Sequence, residues 1–320
     1  MNLVVGIVAA LLLSPAFLTI IAAPPPQQAP AAADSDTISV DVRRLVLYVT
    51  VREGRSGFVG DLQKEHFTVK EDNAVQEILQ FSREDVPVAV GLVIDNSQSM
   101  MNKKQEAIAA AQAFIKASNP EDEVFVLHFN ERLVFGLPQD MPFSSDQELL
   151  QRAIASVRLD GRTALYDAIH TALEHLERST LTKKALVVIS DGGDNESKHK
   201  MQDVVRAAGL SGALFYAVGI YDAMDGDADP GVLRRLANQT GGESFFPEKV
   251  SEISALCESI ARDLRNQYML VYAPQSPPED SAFHKIRVTV KDPKKRSLKV
   301  RARNGYFGDA ARRQGGTSSP

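Results

Sequence analysis

The sequence of 320 residues contains one cysteine, Cys257, and no tryptophan. A single cysteine excludes an intrachain disulfide, a cysteine-based zinc site and an iron–sulfur cluster within one copy of the chain. Any metal ion must therefore be held by oxygen or imidazole ligands. An aromatic content of 7% without tryptophan gives no sign of a stacking platform for sugars or nucleobases. With 44% hydrophobic and 24% charged residues, the composition is globular and excludes collagen, coiled coil and wholesale disorder.

Charged side chains are absent from the first 33 residues. Within them, the 21 residues from Leu3 to Ala23 form an apolar run that would cross a bilayer as a helix. The small residues Ala31 to Ala33 fit a signal-cleavage site, although the usual positive n-region is missing. We therefore predict that residues 1–33 are a signal peptide or N-terminal membrane anchor followed by a Pro/Ala linker. A buried core helix is the alternative, and the Pro-rich linker disfavours it.

This leader predicts a secreted, periplasmic or cell-envelope protein, with membrane association through residues 3–23. The leader is either cleaved or retained as an anchor.

The charge distribution argues against a nucleic-acid partner. Residues 284–320 hold eleven Lys and Arg against two acidic residues, so the main body of the chain is acidic. A nucleic-acid-binding protein usually carries its basic surface on that main body.

Two segments of the chain have the alternating pattern of half-buried strands. The first, residues 38–85, contains predicted strands at 38–51, 67–71 and 77–81. The second, residues 250–308, contains a predicted helix at 250–264, on which Cys257 is expected to be a core residue, and then strands at 267–272, 285–290 and 298–302. Each segment has too few strands for a stable sheet, so we predict that the two pair into one β-sandwich-like module. Residues 309–320 are predicted to be a disordered tail.

Between these segments, strands and helices alternate over residues 87–248. The strand patterns at 86–95, 185–190 and 214–220 are nearly unbroken apolar runs, which indicates burial on both faces as in a parallel sheet. Helical patterns separate them, at 103–117, 145–157, 163–178 and 198–210. The alternation predicts a doubly wound, mostly parallel α/β domain.

Polar side chains follow two of these buried strands. Asp95, Ser97 and Ser99 come at the end of the first, and Asp191 comes at the end of the second. Open α/β sheets bind ligands at the carboxyl ends of their strands, and a third loop adds the hydroxyl of Thr163. This all-oxygen set suits a hard divalent cation rather than zinc or copper. Because only two ligands are charged, a partner's carboxylate could complete the coordination.

The pattern Asp95-x-Ser97-x-Ser99, then Thr163, then Asp191-Gly192 resembles the metal-ion-dependent adhesion site of von Willebrand factor A (VWA) domains. The flanking sequences resemble the VWA-related proteins of acidobacteria, through GDLQKEHFTVKEDNAVQEILQFS before the domain and LRNQYMLVYAP and VRARNGYF after it. The resemblance implies a bacterial protein with a Rossmann-like, Mg²⁺-dependent protein-binding domain and no catalysis. It also implies that the five oxygen-bearing residues are direct or outer-sphere ligands of the ion.

A partner-binding rim is predicted around the site, formed by Arg162, Asp194, Asp222, Asp225 and Asp227. The acidic loop that holds the last three fails the calcium-loop pattern, because Pro230 and Leu236 stand where a glycine and a glutamate belong. Asp229 is instead predicted to cap a helix that begins at Pro230. The six histidines have no paired spacing and are predicted to be isolated surface or strand residues.

Together these features predict an exported or membrane-tethered adhesion or assembly protein, whose ion coordinates an exposed acidic residue of a protein partner. One alternative is a metal-dependent hydrolase or phosphotransferase with Asp95 as nucleophile. It lacks a nearby acid–base partner, and no G-x-S-x-G motif surrounds Ser97 or Ser99. The other alternative is a structural module in which the metal only stabilises three loops.

Overall fold

The computed structural model describes residues 44–54, 57–83, 85–155, 161–220, 229–274 and 282–308. Three of the predictions concern residues outside these ranges: the leader at 1–33, the acidic loop with Asp222, Asp225 and Asp227, and the tail at 309–320. Within the described ranges, no helix has both the length and the apolar character needed to span a membrane.

The described residues form fifteen strands and six α-helices. The strands are β1 (Leu45–Glu53), β2 (Gly57–Phe58), β3 (Phe67–Glu71), β4 (Ala74–Gln76), β5 (Gln80–Ser82), β6 (Ala89–Asp95), β7 (Glu123–Phe129), β8 (Leu133–Phe135), β9 (Lys184–Ser190), β10 (Leu214–Gly219), β11 (Ser244–Phe245), β12 (Tyr268–Tyr272), β13 (Phe283–Val290), β14 (Leu298–Arg301) and β15 (Gly305–Phe307). The helices are α1 (Lys104–Ala117), α2 (Gln147–Ala155), α3 (Leu165–Leu176), α4 (Met201–Ser211), α5 (Pro230–Thr240) and α6 (Ile253–Arg265).

The central sheet has the strand order β11-β10-β9-β6-β7-β8 among the described residues. All neighbouring strands are parallel except β7 and β8. Every residue of β6 and β10 is buried, as their unbroken apolar sequences predict. Helix α1 packs against α2 and α6, whereas α4 packs against α3 and α5, which gives the sheet its two helical layers. The predicted doubly wound α/β fold is confirmed.

The remaining strands form two antiparallel sheets, β14-β1-β12-β5 with β2 on β1, and β15-β13-β3-β4. In the first, β1 pairs with β12 and β14, and in the second β3 pairs with β13. Each of these pairs joins a segment before the α/β domain to one after it. Leu47 and Tyr268 of one sheet share a buried core with Val69 and Tyr306 of the other. The prediction that the flanking segments pair into one module, called the β-module below, is therefore confirmed.

The predicted strand at 77–81 is wrong. In the structure, β4 ends at Gln76 and β5 begins at Gln80, and the two strands belong to different sheets. Between them the chain crosses from one sheet to the other, with Ile78 buried and Leu79 N donating to Val271 O at 2.7 Å. An alternating pattern cannot distinguish one continuous strand from such a crossing, because the side chains face the same core in both cases.

The predicted ends of two helices of the α/β domain are confirmed. The Asp229 side chain accepts a hydrogen bond from Gly231 N at 2.9 Å, so it caps the helix that begins at Pro230. Gly212 ends α4 with φ of 70°, the left-handed conformation that glycine adopts without strain. Cys257 is fully buried in α6, as predicted, and burial raises the pKa of its thiol to about 12.

The β-module and the α/β domain meet at a buried carboxylate, Asp263 of α6. It accepts hydrogen bonds from the Thr50 hydroxyl of β1 at 2.9 Å and from the Tyr216 hydroxyl of β10 at 2.6 Å. Arg301 of β14 also donates to it, and the guanidinium of Arg52 lies 3.4 Å away. One side chain thus links the helix to strands of both parts of the fold.

We expect Asp263→Ala to lower the free energy of unfolding by about 3 kcal/mol, because it removes the buried acceptor of the Thr50 and Tyr216 hydroxyls and one of the two carboxylates beside two half-buried guanidinium groups. Glu243, which lies 3.5 Å from Arg52 and 3.1 Å from Arg301, would remain as their counter-charge. Urea unfolding of the full chain measures this change. The matched control is Glu258→Ala on the exposed side of the same helix, where an ion pair to Arg262 spans 3.7 Å. That variant should change the free energy by less than about 0.5 kcal/mol, and equal losses in both variants would contradict the assignment.

Candidate metal site

The candidate site lies where the carboxyl ends of β6 and β9 meet, called the β6–β9 edge below. The two strands are parallel neighbours, with Ile94 opposite Ile189, so Asp95 comes level with Ser190 and Asp191 follows one residue later. The next strand along the chain, β7, lies on the other side of β6. The chain therefore reverses its direction of winding at β6, which is where open α/β sheets form their ligand crevices.

Asp95 is held by hydrogen bonds from neutral groups. Its Oδ1 accepts from Ser97 N at 2.9 Å, and its Oδ2 accepts from the Ser190 hydroxyl at 2.6 Å. Ser190 is itself oriented by Gly192 N, which donates to its hydroxyl at 3.0 Å. With 1% of its surface exposed, Asp95 is fixed in position as part of the sheet edge.

Asp191 lies in a tight turn directly after β9. Its Oδ1 accepts from Gly193 N at 3.1 Å, and 2% of its surface is exposed. The turn depends on Gly192, whose φ is 86° and whose added Cβ would lie 2.6 Å from Asp229 O. A side chain at this position would collide with the backbone that leads into α5.

The two carboxylates repel each other. Burial and the charge of Asp191 raise the pKa of Asp95 to about 7, and the hydrogen bonds from Ser190 and Ser97 only partly offset this rise. A divalent cation at the β6–β9 edge would neutralise both carboxylates. The charge arrangement therefore fits a bound cation.

The hydroxyl groups have suitable spacing for the same ion. Ser97 Oγ and Ser99 Oγ are 3.1 Å apart, close to the separation of about 3.0 Å between neighbouring ligands of an octahedral Mg²⁺ ion with bonds of about 2.1 Å. Ser97 is buried, whereas Ser99 is exposed in the short 3-10 helix that precedes α1. The donors thus extend from the sheet edge to the surface.

Thr163 is tied to the loop that follows Asp191. Its N donates to Asn195 Oδ1 at 2.9 Å, and its carbonyl oxygen accepts from Asn195 N at 2.9 Å. A third contact, from Gln98 N to Gly161 O at 3.1 Å, joins the Thr163 loop to the Ser97–Ser99 loop. The five predicted ligands therefore lie on three hydrogen-bonded loops, and their hard oxygen donors fit a divalent cation such as Mg²⁺.

Two residues of the predicted rim are described by the structure. The exposed Arg162 precedes Thr163 and donates to Glu196 Oε2 at 3.0 Å. Asp194 is half-buried, and its Oδ1 accepts from Tyr166 N at 3.2 Å and from the Ser197 hydroxyl at 2.5 Å. Asp194 thus orders the loop against the start of α3, while Arg162 places a positive charge beside the candidate site.

The sequence analysis did not predict the residues whose hydrogen bonds hold the candidate ligands and their loops in place. Ser190 could have been suspected, since it directly precedes Asp191 at a strand end. Asn96 is harder to foresee, because its amide donates to His128 Nδ1 of the neighbouring strand at 2.8 Å. His128 Nε2 in turn donates to Ala153 O at 2.8 Å, and burial lowers the pKa of this imidazole, so it is neutral.

The prediction that the histidines are isolated is wrong for two of them on the surface of the α/β domain. His170 of α3 and His199 are stacked with their ring centroids 4.0 Å apart. His199 Nδ1 also lies 2.7 Å from Asp167 Oδ1. The pairing was not visible in the sequence, because His170 lies in α3 and His199 in the loop before α4, and the two meet only in the folded chain.

The chain is a Rossmann-like α/β protein. Its sheet is doubly wound, and the polar residues that could bind an ion lie at the strand where the winding reverses. More specifically, residues 90–193 match the family model of the von Willebrand factor type A domain. The chain therefore contains a von Willebrand factor type A domain. No curated protein matches the chain significantly.

Solved structures that match the chain share little sequence with it. A von Willebrand factor type A protein from Catenulispora acidiphila is 12% identical with a TM-score of 0.50, over 84% of this chain and 75% of that one. The protein BatB from Bacteroides thetaiotaomicron is 16% identical with a TM-score of 0.45, over 55% of this chain and 98% of its own. The von Willebrand domain of the type V pili tip protein Mfa5 from Porphyromonas gingivalis is 14% identical with a TM-score of 0.47, over 56% of this chain and 95% of that one.

The raised pKa of Asp95 predicts how stability depends on pH when chelator keeps metal away. An unfolded aspartate titrates near 3.9, so between about pH 4 and pH 7 the folded state holds a proton that the unfolded state has lost. The free energy of unfolding should therefore fall as pH rises through this window, by about 1.4 kcal/mol per pH unit for this one proton.

Urea unfolding of the full chain in EDTA between pH 4 and pH 8 measures this slope. Asp95→Asn removes the titrating group. The free energy of unfolding of this variant should therefore fall less steeply with pH, by about 1.4 kcal/mol per pH unit. Parallel curves for the wild type and the variant would show that Asp95 is ionised in the folded chain throughout this range.

Proposed function

We propose that this chain is an exported or membrane-tethered adhesion or assembly protein that binds a protein partner through Mg²⁺ at the β6–β9 edge. The observation that carries the proposal is the pair of buried, mutually repelling carboxylates at the winding reversal of a von Willebrand factor type A domain. Mn²⁺ and Ca²⁺ are the alternative ions.

Five side chains would hold the ion: Asp95 and Asp191 with their charges, and Ser97, Ser99 and Thr163 with their hydroxyls. The bound ion would supply an electrophilic coordination position for an oxygen ligand. Ser190, Gly193 and Asn195 act on the ligands rather than on the ion, because their hydrogen bonds fix Asp95, Asp191 and the Thr163 loop respectively. The chain's own residues thus preorganise the site.

The expected partner group is an exposed Asp or Glu carboxylate. Two carboxylates balance the charge of a divalent cation, and the remaining ligands of this chain are neutral hydroxyls, so the ion can still attract one anionic oxygen. Ser99 and Arg162 mark the solvent side of the site, because both are exposed while the other ligands are buried. Arg162 would favour an acidic partner and would have to share its charge with Glu196.

The burial of Asp95 favours a binding role over phosphoryl transfer. A nucleophilic carboxylate must reach its substrate, whereas both oxygens of Asp95 accept hydrogen bonds inside the sheet edge. The leader predicted at 1–33 would direct the domain to the outer side of a membrane, in the periplasm, at the cell envelope or in the medium. In each of these places a protein partner can reach the β6–β9 edge.

Calorimetric titration of Mg²⁺ and Mn²⁺ into the full chain tests the ion. We expect the wild type to bind one ion, and Asp95→Ala and Asp191→Ala to lose this binding while their circular dichroism spectra stay native. Asp140→Asn, an exposed carboxylate on another loop, is the control and should bind like the wild type. Unchanged binding in both alanine variants would refute the assigned ligands.

Metal-dependent retention from the envelope fraction of the source cell tests the partner. The wild type should retain a protein in Mg²⁺ and release it in EDTA, and Asp95→Ala should retain none. Replacing one surface Asp or Glu of that protein by its amide should then abolish binding. If Mg²⁺ raises the unfolding midpoint but retention is the same in EDTA, the metal is structural and the adhesion proposal fails.

A further inference from the structure

A second group of metal-ligating side chains lies in the β-module, well separated in sequence from the β6–β9 edge. Glu71 is the last residue of β3, Asp72 opens the turn to β4, and His284 lies in β13. One ligand atom from each of the three lies within 4.8 Å of the others. These three residues are called the Glu71 cluster below.

Burial makes the cluster unlike a solvated surface group. Glu71 is 3% exposed and His284 is 6% exposed, so a carboxylate and an imidazole lie inside the β-module, next to its apolar core. Asp72, whose side chain is 50% exposed, closes the cluster on the solvent side and leaves an entry path. Its Oδ2 lies 2.8 Å from His284 Nδ1.

Neighbouring groups orient the two carboxylates. The Tyr272 hydroxyl donates to Glu71 Oε2 at 2.6 Å, and the Tyr306 hydroxyl also bonds to Glu71. Burial and the bond to Glu71 raise the pKa of Tyr272, so this hydroxyl remains a donor. Asp72 Oδ1 accepts from Lys285 N at 2.9 Å. Such outer partners are typical of ligating carboxylates, whose orientation they fix.

We propose that Glu71, Asp72 and His284 form a binding site for a divalent transition-metal ion of the zinc class. One imidazole and two carboxylates supply nitrogen and oxygen donors of the kinds that Zn²⁺ accepts, and water can take the remaining position. Tetrahedral ligands at about 2.0–2.1 Å from the metal are about 3.4 Å apart, so small side-chain movements suffice. The two carboxylates match the charge of the ion when the imidazole is neutral.

The ion would join segments that are remote in the chain. Asp72 and His284 are 212 positions apart and lie on opposite sides of the von Willebrand factor type A domain in the sequence. A metal bound between them would hold β3 against β13 and so clasp the two halves of the β-module. Metal binding would then stabilise the folded chain, because the unfolded chain does not hold these ligands together.

Zinc titration of the full chain, with excess Mg²⁺ present to occupy the β6–β9 edge, tests the proposal. We expect one Zn²⁺ to bind, and we expect Co²⁺ in its place to give visible absorption bands of low coordination number. Asp95→Ala should bind Zn²⁺ like the wild type, which separates this site from the one proposed for the partner.

Asp72→Asn is the most informative variant. Asp72 has a φ of 45°, a conformation that asparagine tolerates, and an amide oxygen can still accept from Lys285 N. The variant should therefore fold while losing a charged ligand, and we expect zinc affinity to fall at least about 10-fold. His284→Gln should give a similar loss. His199→Gln is the matched control, because it removes the other histidine that faces an aspartate.

The alternative, in which His284 only forms a hydrogen bond with Asp72, has a different outcome. In that case Zn²⁺ leaves the unfolding midpoint unchanged and no stoichiometric binding is measured, and the proposal is overturned. Equal zinc affinity in the wild type and in Asp72→Asn and His284→Gln would also overturn it, as would a loss confined to His199→Gln. Binding and stabilisation that disappear together in Asp72→Asn support it.

Discussion

The burial of two like charges at one sheet edge is the constraint on which the rest of the α/β domain depends. Asp95 and Asp191 end up together because their strands are parallel neighbours in a core of apolar residues, which leaves the strand ends no freedom to separate. The surrounding loops are then arranged around these carboxylates, through Ser190, the Gly192 turn and the Asn195 bridge to Thr163. The polar edge is thus a product of the same topology that builds the core.

A different solution to the same electrostatic problem occurs at the junction with the β-module. Asp263 is as deeply buried as Asp95, but Arg52 and Arg301 lie beside it and balance its charge within the chain. The hydrogen bonds to Asp95 come from the uncharged groups of Ser190 and Ser97. One carboxylate therefore has permanent counter-ions and serves assembly of the fold, whereas the other is suited to an exchangeable one.

The sequence predicted the structure best where a single physical rule decides the local outcome. Unbroken apolar runs predicted β6, β9 and β10 because a strand buried on both faces has no other composition. The predicted ligands lie on adjoining loops because topology fixes where parallel strands end. Prediction failed where distant segments decide the outcome: the crossing after Gln76, the support of Asp95 by Ser190, and the meeting of Asp72 with His284. No local pattern encodes such contacts, since they depend on register between strands far apart in the chain.

The interleaved β-module also constrains the order in which the chain can fold during its synthesis. Strand β1 is made early, yet its partners β12 and β14 follow more than 200 residues later, after the whole α/β domain. Closing so long a loop is slow, whereas the α/β domain can form its own sheet from contiguous chain. The early strands must therefore stay unpaired while the ribosome completes the chain, and β1, which is apolar from Leu45 to Val51 except for Thr50, is open to association with other chains in the meantime.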